Sequence, residues 1–230
     1  CSQDNSRLIL ADFEKQYPAK IRVIYNEKNL GLLGNVKTIL DSCHGKYISL
    51  LGGDDYFSNK QKLQKQVFFL ENHLDYGLVH SDADIFLQSQ NRTLRTSYHE
   101  YLNVANIKSG DVYEDILLEH FIIASTACFR RALYLKYINI NEYIKCGFLT
   151  EDLPMWLDIC RHAKAHFISE RLLTYRYCDT SLSRSKKTRD KYKFWSSLHN
   201  IRLYYLSKYA CSESTKSIVL KRYHEFFIVY

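Results

Sequence analysis

Lys46-Tyr47-Ile48-Ser49-Leu50-Leu51-Gly52-Gly53-Asp54-Asp55-Tyr56 is a short apolar run that stops at two adjacent carboxylates. Two like charges side by side repel, and a divalent cation is the usual relief. In an open α/β sheet, ligands bind just outside the carboxyl ends of the strands. An acid pair at such a place points to a metal-assisted site for a phosphorylated ligand. The competing explanation is a solvated Asp-Asp turn, and the pair alone does not separate the two.

Outward from this stretch the chain alternates helix and strand. Residues 6–17 predict a helix with Leu8, Ile9 and Phe13 on its apolar face, capped by Asp4 or Ser6. Ile21 to Tyr25 is short and β-branched, which predicts a strand. Gly34 to Cys43 is helical, Lys46 to Leu51 a buried strand, Lys60 to His73 a helix and Tyr76 to Phe86 a strand. That alternation suits a parallel sheet with crossover helices. Residues 87–109 are polar, a long loop or a pair of edge strands. Asp111 to His120 predicts a helix, Phe121 to Phe129 a strand, Arg130 to Tyr137 a helix and Glu151 to Ala163 a helix with Pro154 in its first turn. His166 to Ser169 and Leu172 to Tyr177 predict two strands. From Lys186 the pattern is two amphipathic helices, broken near Ser212 to Ser214.

Composition narrows the classes. The 230 residues, 46% of them hydrophobic and only 2 of them proline, suit one large domain or a domain with an appendage. No apolar stretch approaches the roughly 20 residues of a membrane span. The 7 cysteines are scattered with no Cys-x-x-Cys pair, which fits reduced thiols in the cytoplasm. Cys1 in place of Met, with no signal-peptide pattern after it, predicts a fragment or a domain cut from a longer chain. The net charge of +7 is uneven: residues 1–185 hold 22 basic and 22 acidic side chains, residues 186–230 hold 10 and 3. A basic, aromatic tail suits an anionic membrane surface or nucleic acid, and equally a solvated helix face. With a neutral body there is no basic groove, so nucleic acid is not an expected partner.

Several motifs now stand in a fixed order. Asn29-Leu30-Gly31 leads to Gly34-Asn35, then Gly45-Lys46-Tyr47-Ile48, Gly53-Asp54-Asp55-Tyr56, Thr150-Glu151-Asp152, Tyr175-Arg176 and Ser181-Leu182-Ser183. Together, in this order, they resemble the family 2 glycosyltransferases, over roughly residues 1–183. The resemblance implies an α/β GT-A fold, a Rossmann-like mixed sheet flanked by helices that binds nucleotide-diphosphate sugars. Residues 1–185 would be that domain and 186–230 a basic helical extension. Ser2-Gln3-Asp4-Asn5-Ser6 looks like the end of the family's Asp-Asp-Gly-Ser stretch, so the first strand, with acids that hold the nucleotide base, would precede residue 1.

Residue by residue, the resemblance implies that Asp55 is the metal ligand, holding manganese or magnesium against the donor diphosphate. Asp54 would approach the ribose or share the metal shell. Gly52 stands where the family often has a third acid. Asp152 is the candidate catalytic base, taking the proton of an attacking acceptor hydroxyl, with Glu151 the fallback. Plain helix capping by Thr150, with acids in the first turn, is the alternative for both. Arg176 can pair with phosphate or be an ordinary surface arginine. Cys178 holds a place where the family commonly has His. Asn29 and Asn35 would wall the nucleotide pocket, or only form a turn and a cap.

The remaining candidates are plainer. His73, His80 and His120 lack metal-like spacing and read as surface or core histidines. Trp156 reads as helix core, and Asp82 and Asp84 as a solvated strand edge. Tyr204, Tyr205, Phe226 and Phe227 interleave with Lys208, Lys221 and Arg222, a face suited to anionic lipid or to packing on the domain. The expected activity is inverting glycosyl transfer from a nucleotide-diphosphate sugar to a glycan or lipid-linked glycan acceptor in bacterial surface-glycan synthesis. It would occur in the cytoplasm, with peripheral contact at the inner membrane face. A non-catalytic sugar- or nucleotide-binding module on the same fold is the rival.

Overall fold

The computed structural model describes residues 2–104, 107–178 and 187–229. Ser181, Ser183 and the expected boundary at 185/186 lie outside the described residues. The chain divides into two compact units, Cys1–Cys43 and His44–Tyr230.

The first unit holds α1 (Ser6–Gln16) and α2 (Gly31–Asp41). Asp4 Oδ1 accepts the Ser6 amide at 3.1 Å and so opens α1. Residues 21–25, expected as a strand, lie in no strand. β-branched residues fit a pleated surface, but a strand exists only where a neighbour takes up its backbone groups. Here the Val23 amide is taken up by the Glu14 carboxylate instead, at 2.7 Å. Gly31 starts α2 at φ +68°, a conformation that favours glycine, and Asn29 Oδ1 accepts its amide at 2.9 Å.

The second unit is built on a mixed five-stranded sheet. Its strands are β1 (Tyr47–Ser49), β2 (Tyr76–Leu87), β3 (Arg92–Ser97), β4 (Cys128–Arg130) and β5 (Lys164–Tyr177). β2 is central. β5 runs parallel along one edge of it, while β4 and then β3 pair antiparallel along the other. β1 pairs antiparallel with β4 and not with β2, so the parallel sheet expected for the first ninety residues is corrected to a mixed one. The sequence hid this because β4 arrives from far along the chain and inserts between two strands that are close in sequence.

Two other expectations change for physical reasons. Of residues 121–129 only Cys128 and Phe129 join the sheet, and Ala124–Thr126 form a 3-10 turn. Phe121, Ile122 and Ile123 are buried by packing, and burial without pairing writes the same apolar run as a strand. β5 is one strand, not two. Its register against β2 slips between Ser81↔Ile168 and Asp82↔Arg171, which leaves polar Ser169 and Glu170 out of the ladder.

Helices cover the sheet. α3 (Lys62–Asn72) seats Leu70 against Val79 and Cys128. The short helices are α4 (Tyr98–Tyr101), α5 (Tyr113–Leu118), α6 (Arg131–Tyr137) and α7 (Ile140–Lys145). α8 (Asp152–His162) buries every residue from Leu153 to Cys160. Trp156 lies in the core, as expected, and its indole donates to Ile122 O at 3.2 Å. Each such large apolar side chain contributes roughly 1.5–3 kcal/mol on burial.

The C-terminal helices α9 (Thr188–Lys208) and α10 (Glu213–Val229) pack into this unit. The anchor of α9 is Asp158, fully buried on α8. It accepts from Tyr143 (2.5 Å), Tyr205 (2.6 Å), Tyr209 (3.0 Å) and Lys208 (2.9 Å). Tyr205 and Lys208 are thereby spent on packing, and they drop out of the aromatic-basic face considered for lipid. No helix among the described residues is long and apolar enough to cross a membrane.

Candidate active site

The site begins where β1 ends. The chain turns through Gly52, Gly53, Asp54 and Asp55, and the Asp55 amide donates back to Gly52 O at 3.2 Å. The Gly52 amide donates to Ser125 Oγ at 2.9 Å. A Cβ on Gly52 would lie 2.8 Å from Asp54 Oδ1. Glycine here therefore lets the Asp54 carboxylate fold over the backbone, and a third acid at this position would displace it.

The far end of β5 fastens the turn. Tyr56 and Thr174 exchange backbone hydrogen bonds of 3.2 and 2.9 Å. Two residues on, the Arg176 amide donates to Asp55 Oδ1 (2.9 Å) and Arg176 Nε to Asp54 O (2.8 Å). Three expected site residues thus meet across about 120 residues of chain. Burial raises the Asp55 carboxyl, and the Asp54 charge adds to the rise; hydrogen bonds from Ser125 and the Arg176 amide oppose it.

The second acid pair opens α8. Asp152 Oδ1 accepts from Thr150 Oγ1 (2.5 Å) and from the Leu153 amide (2.7 Å). Its Oδ2 lies 3.4 Å from His120 Nε2. Glu151 behaves differently: burial, then the Asp152 charge, push its carboxyl up to about 7. Asp152, His120 and Ser125 line one cleft of about 660 Å³. Ser125 also bonds Gly52 and Asp55, so the Asp54-Asp55 turn is fastened to the wall of the Asp152 cleft.

His120, which reads from the sequence as a surface or core histidine, lies beside the candidate base. Ser125 was not anticipated at all. Nothing in the sequence marks either, because their partners lie 32 and 73 residues away. Asp82 corrects another expectation. It is buried, not solvated, and His99 Nδ1 lies 2.8 Å from its Oδ1. Burial would raise that carboxyl, but hydrogen bonds from His99, Ser97 and the Ala83 amide hold it below the usual range. Asp84 pairs with Arg171 at 3.4 Å. Asn29 and Asn35 belong to the first unit. There Asn29 caps Gly31, and Asn35 Oδ1 accepts from Asn26 at 3.0 Å. Cys178 donates to Gln88 Oε1 at 3.2 Å.

Among the described residues no group of three or more His, Cys, Asp or Glu side chains is placed to hold a metal. A magnesium-type ion needs no such cage when one or two carboxylates and substrate phosphates share it. Asp54 and Asp55 form no ion pair among the described residues, and the raised Asp55 carboxyl beside a second charge fits such a cation.

The family model described as glycosyl transferase family 2 matches residues 1–138. The chain belongs to this family. TuaG of Bacillus subtilis, whose name describes a teichuronic acid biosynthesis glycosyltransferase, is 27% identical over 227 residues, 96% of this chain and 82% of that protein. A protein of Mycobacterium tuberculosis is 36% identical over 72 residues, 31% of this chain. The chain covers only 21% of the length of that relative. The crystal structure of S. aureus TarS 1-349 matches with a TM-score of 0.58 at 15% identity, over 100% of this chain and 60% of that one. At that identity the likeness shows the fold alone, and with the mixed sheet it fits GT-A.

Proposed function

We propose that this glycosyltransferase moves a sugar from a nucleotide-diphosphate donor to an acceptor hydroxyl with inversion, in the building of a bacterial surface glycan. The observation that carries the reading is that Asp152 shares a cleft with Ser125, whose hydroxyl is bonded to the Asp54-Asp55 turn at the Gly52 amide. Asp152 takes the proton of the acceptor hydroxyl as its oxygen attacks the anomeric carbon. The bond from that carbon to the diphosphate breaks on the opposite face, and the nucleoside diphosphate leaves. Arg176 offers positive charge beside the departing phosphates. Asp55, with Asp54, would hold manganese or magnesium, which neutralises charge on the leaving group when bound. The Thr150 and Leu153 hydrogen bonds fix the Asp152 carboxylate, and His120 Nε2 lies 3.4 Å from its second oxygen. Donor-wall roles for Asn29 and Asn35 rest on the family resemblance, as does any membrane contact. A lipid-linked acceptor would place the work at the inner membrane face.

The test is a panel of nucleotide-diphosphate sugars with manganese, read by donor binding and by slow donor hydrolysis. Binding that needs manganese and Asp55, with hydrolysis that needs Asp152, is expected. Donor binding with no turnover under any condition would replace this reading with the non-catalytic module.

A further inference from the structure

The cleft that contains Asp152 has another group of residues that the proposed chemistry leaves unused. Arg202 and His199 of α9 and Arg222 of α10 line it. Arg202 donates from Nε to Leu117 O (2.9 Å) and from Nη1 to Leu198 O (3.3 Å). Arg222 Nη1 donates to Leu118 O at 2.5 Å. Carbonyls at the end of α5 therefore steer both guanidiniums into the same region, and each retains further donors. Among the described residues neither guanidinium has a carboxylate ion-pair partner. His199 Nδ1 is buried with no hydrogen-bond partner.

These groups repel one another. Burial, then the Arg222 charge, lower Arg202 to about 10. Burial, then Arg202 and Arg222, lower His199. Glu119 also lines the cleft and acts against the lowering of Arg202, but it forms no ion pair with it among the described residues. Two neighbouring guanidiniums, Arg202 largely desolvated and neither paired to a carboxylate among the described residues, repel each other, and a ligand oxyanion relieves that cost. Phe194, Trp195 and Leu198 stand beside the cluster, apolar surface of the kind on which a sugar ring rests.

We propose that Arg202, Arg222 and His199 form an acceptor subsite for an anionic group, a phosphate or carboxylate carried by the acceptor glycan or its lipid carrier. The inference rests on the glycosyltransferase reading of the cleft and adds the charge of the acceptor to it. It also gives the C-terminal helices a part in acceptor selection.

The probes are glycerol 3-phosphate, glucuronate, farnesyl diphosphate and neutral glucose, titrated into the 230-residue chain. Arg222 is exposed, so Arg222→Gln should fold, with thermal melting as the check. Glycerol 3-phosphate or glucuronate should bind at least about tenfold tighter than glucose, and Arg222→Gln should remove that margin while Arg222→Lys restores part of it. Farnesyl diphosphate outcompeting both small anions would assign the charge to a lipid carrier; the reverse order would assign it to the glycan. Equal binding of anions and glucose, or an anion affinity indifferent to Arg222→Gln, overturns the subsite. Uridine diphosphate binding with manganese is read in parallel. Its absence in the wild type, with anion binding intact, overturns the donor reading alone.

Discussion

Asp54-Asp55 and Glu151-Asp152 are both adjacent acid pairs, and the fold treats them in opposite order. In the first pair the second acid is drawn inward: Asp55 takes the Arg176 amide and is raised by burial, while Asp54 stays exposed. In the second pair the first acid is drawn inward: Glu151 is pushed up to about 7, while Asp152 lines the cleft. The backbone explains the difference. Asp54 and Asp55 sit on a turn clamped by the Gly52 amide's bond to the Ser125 hydroxyl and by main-chain bonds to β5. Glu151 and Asp152 sit at a helix start, where successive side chains diverge by about 100° and so enter different surroundings. Environments that separate two neighbouring carboxyls give each a different task.

Four substitutions break or sharpen that comparison. The largest effect is expected for Asp152→Asn, which should lower kcat about 10²–10⁴-fold in a transfer assay with little change in donor affinity. Undiminished turnover would remove Asp152 from the chemistry. Asp55→Asn should act on the other half, lowering kcat about 10²–10³-fold and abolishing the stimulation by manganese in the same assay.

Glu151→Gln tests the inward member of the second pair through stability. The folded carboxyl titrates near 7 against an ordinary 4.5. Its contribution to stability is thus full below about 4.5 and is lost as pH rises through 7. Melting curves should show the variant gaining on the wild type between pH 4.5 and pH 8, by on the order of 3 kcal/mol. A constant difference across that range would place Glu151 in water. The smallest effect is expected for Gly52→Ala. Its Cβ crowds the movable end of Asp54 at 2.8 Å and makes ordinary 3.4 Å contacts with Asp55 Oδ2 and Ser125 Oγ, so melting should change by less than about 1 kcal/mol. Donor KM should nonetheless rise severalfold as Asp54 shifts. An unchanged KM would leave Asp54 without a role.

Much of the candidate site is legible in the sequence because its parts are local. A strand ending in Asp-Asp and a Thr-Glu-Asp helix start can be read within a few residues, and Arg176 came with the order of motifs. Trp156 and the apolar face of α8 were legible from helical spacing. What escaped was pairing at a distance. β4 enters the sheet from residue 128, Ser125 reaches Gly52, and His120 reaches Asp152, and none of these contacts leaves a periodic trace. The basic tail misled in a related way. Charge and aromatic content are properties of composition, but whether Lys208 faces solvent or Asp158 depends on which helix packs beside it.

The Asp54-Asp55 and Glu151-Asp152 pairs, most of the helices and the family itself follow from residue order, since each is written in short-range spacing. The mixed order of the sheet, the split between the members of each acid pair, and the placing of Arg202 and Arg222 in the Asp152 cleft belong to the folded chain. Burial and long-range hydrogen bonds set these, and both depend on neighbours that the linear sequence keeps far apart.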